Sequence, residues 1–378
     1  MNSSFVARTA LPAAAALALG LGLSSCGAAN EQPSSGGATG QGANATASLS
    51  GTLSGTLNGA GSSAQEAAQG GWTAKFQTSN PNATVNYDPV GSGGGVDEFL
   101  SGGVAFAGSD AYLSTDQVAE SKKVCGGQSA IEVPDYISPI AVVYHLPGVD
   151  NLRLSPDTLA KIFAGTITQW NDPAIKADNP GATLPAQRIT PVHRSDDSGT
   201  TDNFTDYLHQ AAGDAWTYPA SETWPVKSGE GADGTSGVVA AVQKGSGTVG
   251  YADASQAGQL SKAQIKVGSS WVGPTAAAAS KAAGLSKPVS GRAASDLALS
   301  INRTTTESGA YPLVLVSYLI GCPTYGDANT AKLVKGYLTY IVSPQGQQVA
   351  AQVAGSAPLP SNLSQQATQQ LADIAVKG

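Results

Sequence analysis

Three times in this chain a strand-like run breaks off into small residues and a helix-like run begins. The stretches are "GAGSSAQEAA" (59–68), "GSGGGVDEF" (91–99) and "DSGTTDNF" (197–204). Corners of this kind join parallel strands to covering helices, so they restrict the chain to an α/β architecture. Runs between them keep the same rhythm. "ATVNYDPV", "VAFAGSD" and "SPIAVVYHLPGV" read as strands, with "GSGGG" as a turn and "VDEFLSG" as a short helix. "SPDTLAKIFAG" reads as a helix with Ser155 as N-cap and Pro156 at its first position. "YPLVLVSYLIG" is a late buried strand, and "NTAKLVKGYLTYIVSPQGQQVAAQVA" supplies two C-terminal helices.

Helix starts leave backbone N–H groups unpaired and carry partial positive charge, which makes them anion sites. Serine and threonine hydroxyls add donors, and glycine admits a ligand close to the backbone. One such corner is weak testimony, because Gly/Ser turns also serve as plain caps. Three together, one with an arginine beside it, are stronger. "VHRSDDSGTTDNFTDYL" puts Arg194 next to Asp196 and Asp197 in a chain of formal net charge −7. The guanidinium supplies planar donors for an oxyanion, while the carboxylates orient it and partly neutralise it. Asp110, in "FAGSDAYL", ends a strand where the ligand crevice of an open α/β sheet normally lies. A carboxylate facing an anion makes sense if the anion carries a proton to donate. Phosphate does so near neutral pH and sulfate does not. A site built on such a bond can reject a partner lacking it by about 10⁴–10⁵.

At 378 residues the chain is long enough for two domains, and 41% hydrophobic residues suffice for real cores. The acidic balance argues against nucleic acid or an anionic membrane surface as partner. Residues 1–25 read as a signal peptide, with Arg8 before an apolar run from Ala10 to Leu23 that is too short to span a bilayer comfortably. "LSSC" resembles a lipobox, which would make Cys26 the lipidated first residue of the mature chain. The alternative is an ordinary signal peptide with a coincidental cysteine. Residues 26–48 are a Gly/Ser/Ala/Asn/Gln tether able to hold the folded body roughly 25 Å from its anchor. With Cys26 spent on lipid, Cys125 and Cys322 remain as an even pair in an oxidising compartment. They make a poor zinc site, with no histidine nearby, and read as a disulfide.

"GAGSS", "GSGGG…FAGSDAYLS" and "HRSDDSGTTDNFTDYL", in this order, resemble the phosphate-binding protein of the phosphate-specific ABC importer; "IEVPDYISPIAVVYHLPGV" and "LAKIFAGTITQWNDPAI" agree as well. The resemblance covers nearly everything from residue 49 onward. It implies a two-lobed, periplasmic-binding-protein-like (Venus flytrap) α/β fold, each lobe a mixed, mainly parallel sheet flanked by helices. Residues 49–137 and 312–378 would form lobe one and 138–311 lobe two. The disulfide then joins the two segments of lobe one. In the implied phosphate site Ser63 stands where the family has a Thr, and Ala64, often Phe there, contributes only its backbone N–H. Ser92 is the serine of the second corner and Asp110 accepts the phosphate proton. Arg194 is the charged donor with Asp196 as its salt partner, and Ser198, Gly199 and Thr200 form the helix start over the anion. Ala105 departs from a frequent aspartate without touching ligand.

The implied function is a monomeric receptor that delivers inorganic phosphate to ABC permease subunits. It would be extracytoplasmic, anchored to the outer face of the cell membrane through its lipid, with no cofactor and no metal. A binder for sulfate, molybdate or a phosphate ester would have no such use for Asp110. A secreted phosphatase using Ser198 would need a base, and among His145, His193 and His209 only His193 adjoins the site, on a strand where neighbours face opposite ways. No G-x-S-x-G elbow or two-metal cluster is present in the sequence. A surface adhesin could use the tether but would leave the corners unexplained.

Overall fold

The computed structural model describes residues 53–293 and 296–377. The expected signal peptide, the expected tether and Cys26 lie outside the described residues. Alternation opens the fold: β1 (Ser54–Gly61), α1 (Glu66–Ser79), β2 (Asn82–Asp88), α2 (Ser92–Leu100), β3 (Phe106–Ser109) and α3 (Thr115–Ser121) precede the long β4 (Ile131–His145). There follow β5 (Arg153–Leu154), α4 (Pro156–Phe163), α5 (Pro173–Asp178), β6 (Thr190–Arg194), α6 (Gly199–Ala211), β7 (Glu230–Ala232), α7 (Gly234–Lys244) and β8 (Thr248–Asp253). Short strands β9 (Ser261–Lys262), β10 (Gln264–Val267) and β11 (Ser270–Val272), helix α8 (Ala276–Ala283), and the pair β12 (Lys287–Pro288) and β13 (Leu299–Ser300) lead to β14 (Val314–Gly321). The chain closes with β15 (Thr324–Tyr325), α9 (Ala328–Val342), α10 (Pro344–Ala354), α11 (Ser361–Ala372) and β16 (Ala375–Val376).

The main sheet has the order β2-β1-β3-β14-β4-β8-β6-β7, with β9 also on β4. Strands β1, β2 and β3 run parallel, and so do β6, β7 and β8. Between these groups lie the antiparallel pairs of β4 with β14 and with β8. The fifteen residues of β4 serve both groups: Ile131 to Pro139 pair with β14, and Ile140 to His145 pair with β8. Thirteen of them are buried, so both faces are covered, and Glu132, Asp135 and Ser138 are buried among the apolar residues. The architecture is the two-lobed, mixed α/β one expected.

Caps set the helix starts. Ser198 Oγ accepts from the Thr201 amide and begins α6, Asp327 does the same for α9, and Ser343 with Pro344 begins α10. Ser155 caps α4 as expected, but its hydroxyl turns to Asp178 and Thr158 rather than to the helix amides. Two expectations change. Residues 92–95 form the first turn of α2 rather than a free turn. Glycine is needed there because a Cβ on Gly95 would lie 2.2 Å from the Gly61 Cα, so α2 can pack on the end of β1 only without side chains. A third C-terminal helix, α11, also exists; Leu363, Ala367 and Leu371 at helical spacing bury its inner face.

Aromatic rings fill the cores on both sides of β4. Trp72 donates its indole N–H to the Gly346 carbonyl, locking α1 to α10. Phe204 of α6 stacks on Tyr251 of β8 with centroids 4.2 Å apart. Burying each such side chain contributes about 1.5–3 kcal/mol. Cys125 and Cys322 form a disulfide, tying the segment after α3 to the end of β14.

Candidate functional site

Strands β1 and β3 of one parallel group and β6 of the other end at one place, where helix starts also gather. Ser62, Ser63 and Ala64 follow β1, Ser92 opens α2, Asp110 follows β3, Arg194 ends β6, and Ser198 to Thr200 open α6. Each of these residues is buried; Asp110 is 3% exposed and Arg194 2%. The first group comes from the β1–β3 side of the sheet and the second from the β6–β8 side. All eight residues expected at the site are brought together.

Asp110 is the centre of the network. Its Oδ1 accepts from the hydroxyls of Ser62 and Ser317, each at 2.7 Å, and its Oδ2 from Thr200 at 2.9 Å. The Asp110 amide donates to Ser92 Oγ at 3.0 Å, and its carbonyl accepts from Asn203 at 2.7 Å. Thr200 and Asn203 reach across from α6. Burial pushes the Asp110 carboxyl above its usual range, opposed by the three hydroxyls and by the Arg194 charge.

Arg194 forks onto Asp196 through Nε and Nη2, and its amide donates to the Tyr251 hydroxyl. All its side-chain bonds go to that one carboxylate, which leaves Nη1 without a partner among the described residues. Burial alone would raise Asp196, but the hydrogen bonds and charge of Arg194 carry it below the usual carboxylate range. Asp196 therefore stays ionised as the counter-charge. The approach between the two sides is close enough to demand glycine. A Cβ on Gly91 (φ +95°) would lie 2.6 Å from Asp196 Oδ2, and one on Gly199 would lie 2.6 Å from Ser92 Oγ.

Some contacts refine the expected roles. Ala64 N–H donates to Ser62 Oγ at 3.1 Å, and Ser198 N–H to the Glu222 carbonyl at 3.1 Å, so neither amide is bare. Ser63 Oγ accepts from the Thr235 amide and pairs with its hydroxyl. Thr235 lies at the start of α7, a fourth strand-to-helix corner that the sequence reading missed. Its signal was the run "GADGTSG" after β7, and Gly234 there donates to Asp196. Ser62, Asn203, Gln256 and Ser317 were missed as well; Gln256 donates to the Ser63 carbonyl at 2.6 Å.

The histidines stand apart. His193 stacks on Trp224, with centroids 4.9 Å apart, and turns its Nδ1 to the Arg194 carbonyl. His145 Nδ1 bonds the Gly245 carbonyl, and His209 is exposed on α6. A cavity of about 470 Å³ reaches Asp110 from the flank, lined in part by Asp202, Asp206 and Glu222. Burial raises Glu222 to about 7 and Asp202 to about 6, and nearby carboxylates push both the same way. Among the described residues no group of His, Cys, Asp and Glu could hold a metal ion, and no helix is long and apolar enough to cross a membrane.

Residues 46–345 match the PBP superfamily domain. The phosphate-binding protein PstS 2 of Mycobacterium tuberculosis is 40% identical over 306 residues, 79% of this chain and 81% of that protein. PstS 3 of the same organism is 38% identical over 329 residues, 84% and 85% of the two chains. Among solved structures, a high-affinity periplasmic phosphate-binding protein (PfluDING) bound with phosphate superposes with a TM-score of 0.67 at 22% identity, covering 82% of this chain and 92% of that one. The phosphate-binding protein of Stenotrophomonas maltophilia gives 0.65 at 19% identity, covering 84% and 94%. Two distant structures thus share the fold, and two nearer relatives share the sequence along most of its length: this chain belongs to the PBP superfamily and, within it, to the family of PstS phosphate-binding proteins.

Proposed function

We propose that this protein is a receptor for inorganic phosphate that hands its ligand to an ABC importer. The observation that carries the reading is the convergence of one buried guanidinium, several hydroxyls and helix starts from both sides of the sheet around a single buried carboxylate. The two mycobacterial relatives are phosphate-binding proteins by name, which supports the same ligand here.

Arg194 Nη1, the hydroxyls of Ser63, Ser92 and Ser198, the amides of Gly199 and Thr200, and the Ala64 amide shared with Ser62 Oγ would hold the phosphate oxygens, while the Thr200 hydroxyl stays on Asp110. Donors fixed before the anion arrives cost little reorganisation, and in a dry cage each is stronger than in water. Asp110 accepts the one proton that phosphate keeps, through the remaining lone pair of Oδ2. A fully deprotonated tetrahedral anion would put oxygen lone pairs against that carboxylate. The work is binding, with no bond made or broken, so no catalytic residue is needed.

The lobes are 49–137 with 312–378, and 138–311, moving about the place where β4 changes partner. Residues 1–25 are the signal peptide, and lipid on Cys26 with the 26–48 tether holds the receptor at the outer face of the membrane, beside its permease. Calorimetric titration with phosphate, repeated in a large excess of sulfate, tests the reading. Tight binding that sulfate leaves intact is expected. Displacement by sulfate at comparable concentration would remove the role given to Asp110.

A further inference from the structure

Asp110 sits among other acids. Asp135 on β4 is fully buried and, among the described residues, neither of its carboxylate oxygens has a partner and Oδ2 of Asp253, at the end of β8, has none; Glu222 flanks the cavity. Each of these three feels the Asp110 charge, as does the Tyr87 hydroxyl, which donates to the Ser62 carbonyl. Arg194 is the only cation facing Asp110 in this group. A buried carboxyl in such company tends to take up a proton. Once protonated it would become a donor, able to welcome an anion that has no hydrogen of its own.

Two hydroxyls oppose that outcome by donating to the ionised carboxylate. Ser62 Oγ accepts the Ala64 N–H and gives its own hydrogen to Asp110 Oδ1. Ser317 donates to the same oxygen from β14, the strand paired with β3, where Tyr318 lies opposite Ser109. It reaches Asp110 at a β-bulge: Ser317 pairs with Tyr136 but Tyr318 with Pro134, so Asp135 is the extra residue on β4. Bulges re-aim side chains in this way. Both lone pairs of Oδ1 are then occupied, and Thr200 takes one on Oδ2.

Resting on the phosphate-receptor reading, we infer that Ser62 and Ser317 determine anion selectivity: by filling Oδ1 they hold Asp110 as an acceptor, open at one lone pair to a protonated ligand. They act through Asp110 and need not touch the anion. Sulfate could bind only with uptake of a proton by Asp110, and the two hydroxyls make that uptake unfavourable. Removing them raises the Asp110 proton affinity, so the change grows as pH falls.

The test is calorimetric titration of the full chain and of Ser62→Ala, Ser317→Ala and the double variant, with inorganic phosphate and with sulfate, from acidic to mildly alkaline pH. The phosphate-over-sulfate preference is expected to fall about tenfold for each hydroxyl removed, the cost of one hydrogen bond to a charged group. The fall is steepest on the acidic side. Variants that keep binding phosphate with the parent's preference and the parent's pH profile overturn the inference. Should Ser317→Ala fail to fold, Ser62→Ala, on a separate loop, decides alone. A parent that binds phosphate without preferring it to sulfate overturns this inference and leaves the receptor; a parent that binds neither anion overturns both.

Discussion

Two arginines in this protein are equally hidden, at 2% exposure for the Arg194 side chain and 2% for Arg303, yet their donors are spent differently. Arg303 gives Nε to Asp206, Nη1 to the carbonyls of Pro312 and Val314, and Nη2 to Asn203 Oδ1. Each of its nitrogens has a protein partner, and it fastens the start of β14 to α6. Arg194 gives its side-chain bonds to Asp196 alone and keeps Nη1 for something else. Both are buried, charged and paired. Only the donors left over separate a group that binds from one that holds the fold together.

Replacing each arginine by methionine breaks the comparison apart. Arg303→Met strips a buried charge from Asp206 and leaves two carbonyls without their donor. The expected loss is about 3–5 kcal/mol of folding stability, read by denaturant unfolding, with phosphate affinity of the folded fraction little changed. Arg194→Met is expected to do the reverse. Phosphate affinity falls about 10²–10³-fold by calorimetry, which corresponds to about 3–4 kcal/mol, and stability changes less. Equal effects of the two variants on affinity would erase the distinction. The smallest effect belongs to Asn203, whose oxygen answers Arg303 while its amide holds the Asp110 carbonyl. Asn203→Ala is expected to cost about 1 kcal/mol in stability and about fivefold in affinity, read by the same two measurements.

This distinction shows why part of the site was legible in the sequence and part was not. Arg194, Asp110, Ser92 and the Ser198–Thr200 start lie at corners where local patterning changes period, and that change is written in neighbouring residues. Thr235 lies at a corner too, but β7 before it has three half-exposed or exposed residues and gives no strand signal. Ser317 sits inside "VLVSYLIG", where one serine in an apolar strand looks like an ordinary core position. Its role comes from a register shift against β4 that no window of the sequence contains. Nothing beside Arg303 in the sequence points to the carbonyls at residues 312 and 314 that it holds. The α/β class was readable from the βαβ rhythm and the two-lobed plan only through the family resemblance, and the glycine run 93–95 was misread because its turn chemistry hides a helix packed on bare backbone.

The Cys125–Cys322 bond has a separate consequence. Its partners are 197 positions apart, so more than half of the chain runs inside one covalent ring. A single backbone cut anywhere within that ring leaves the two pieces joined as one molecule, with both strands of the β3–β14 seam still present to re-pair. Damage to the middle of the polypeptide is then not loss of the polypeptide.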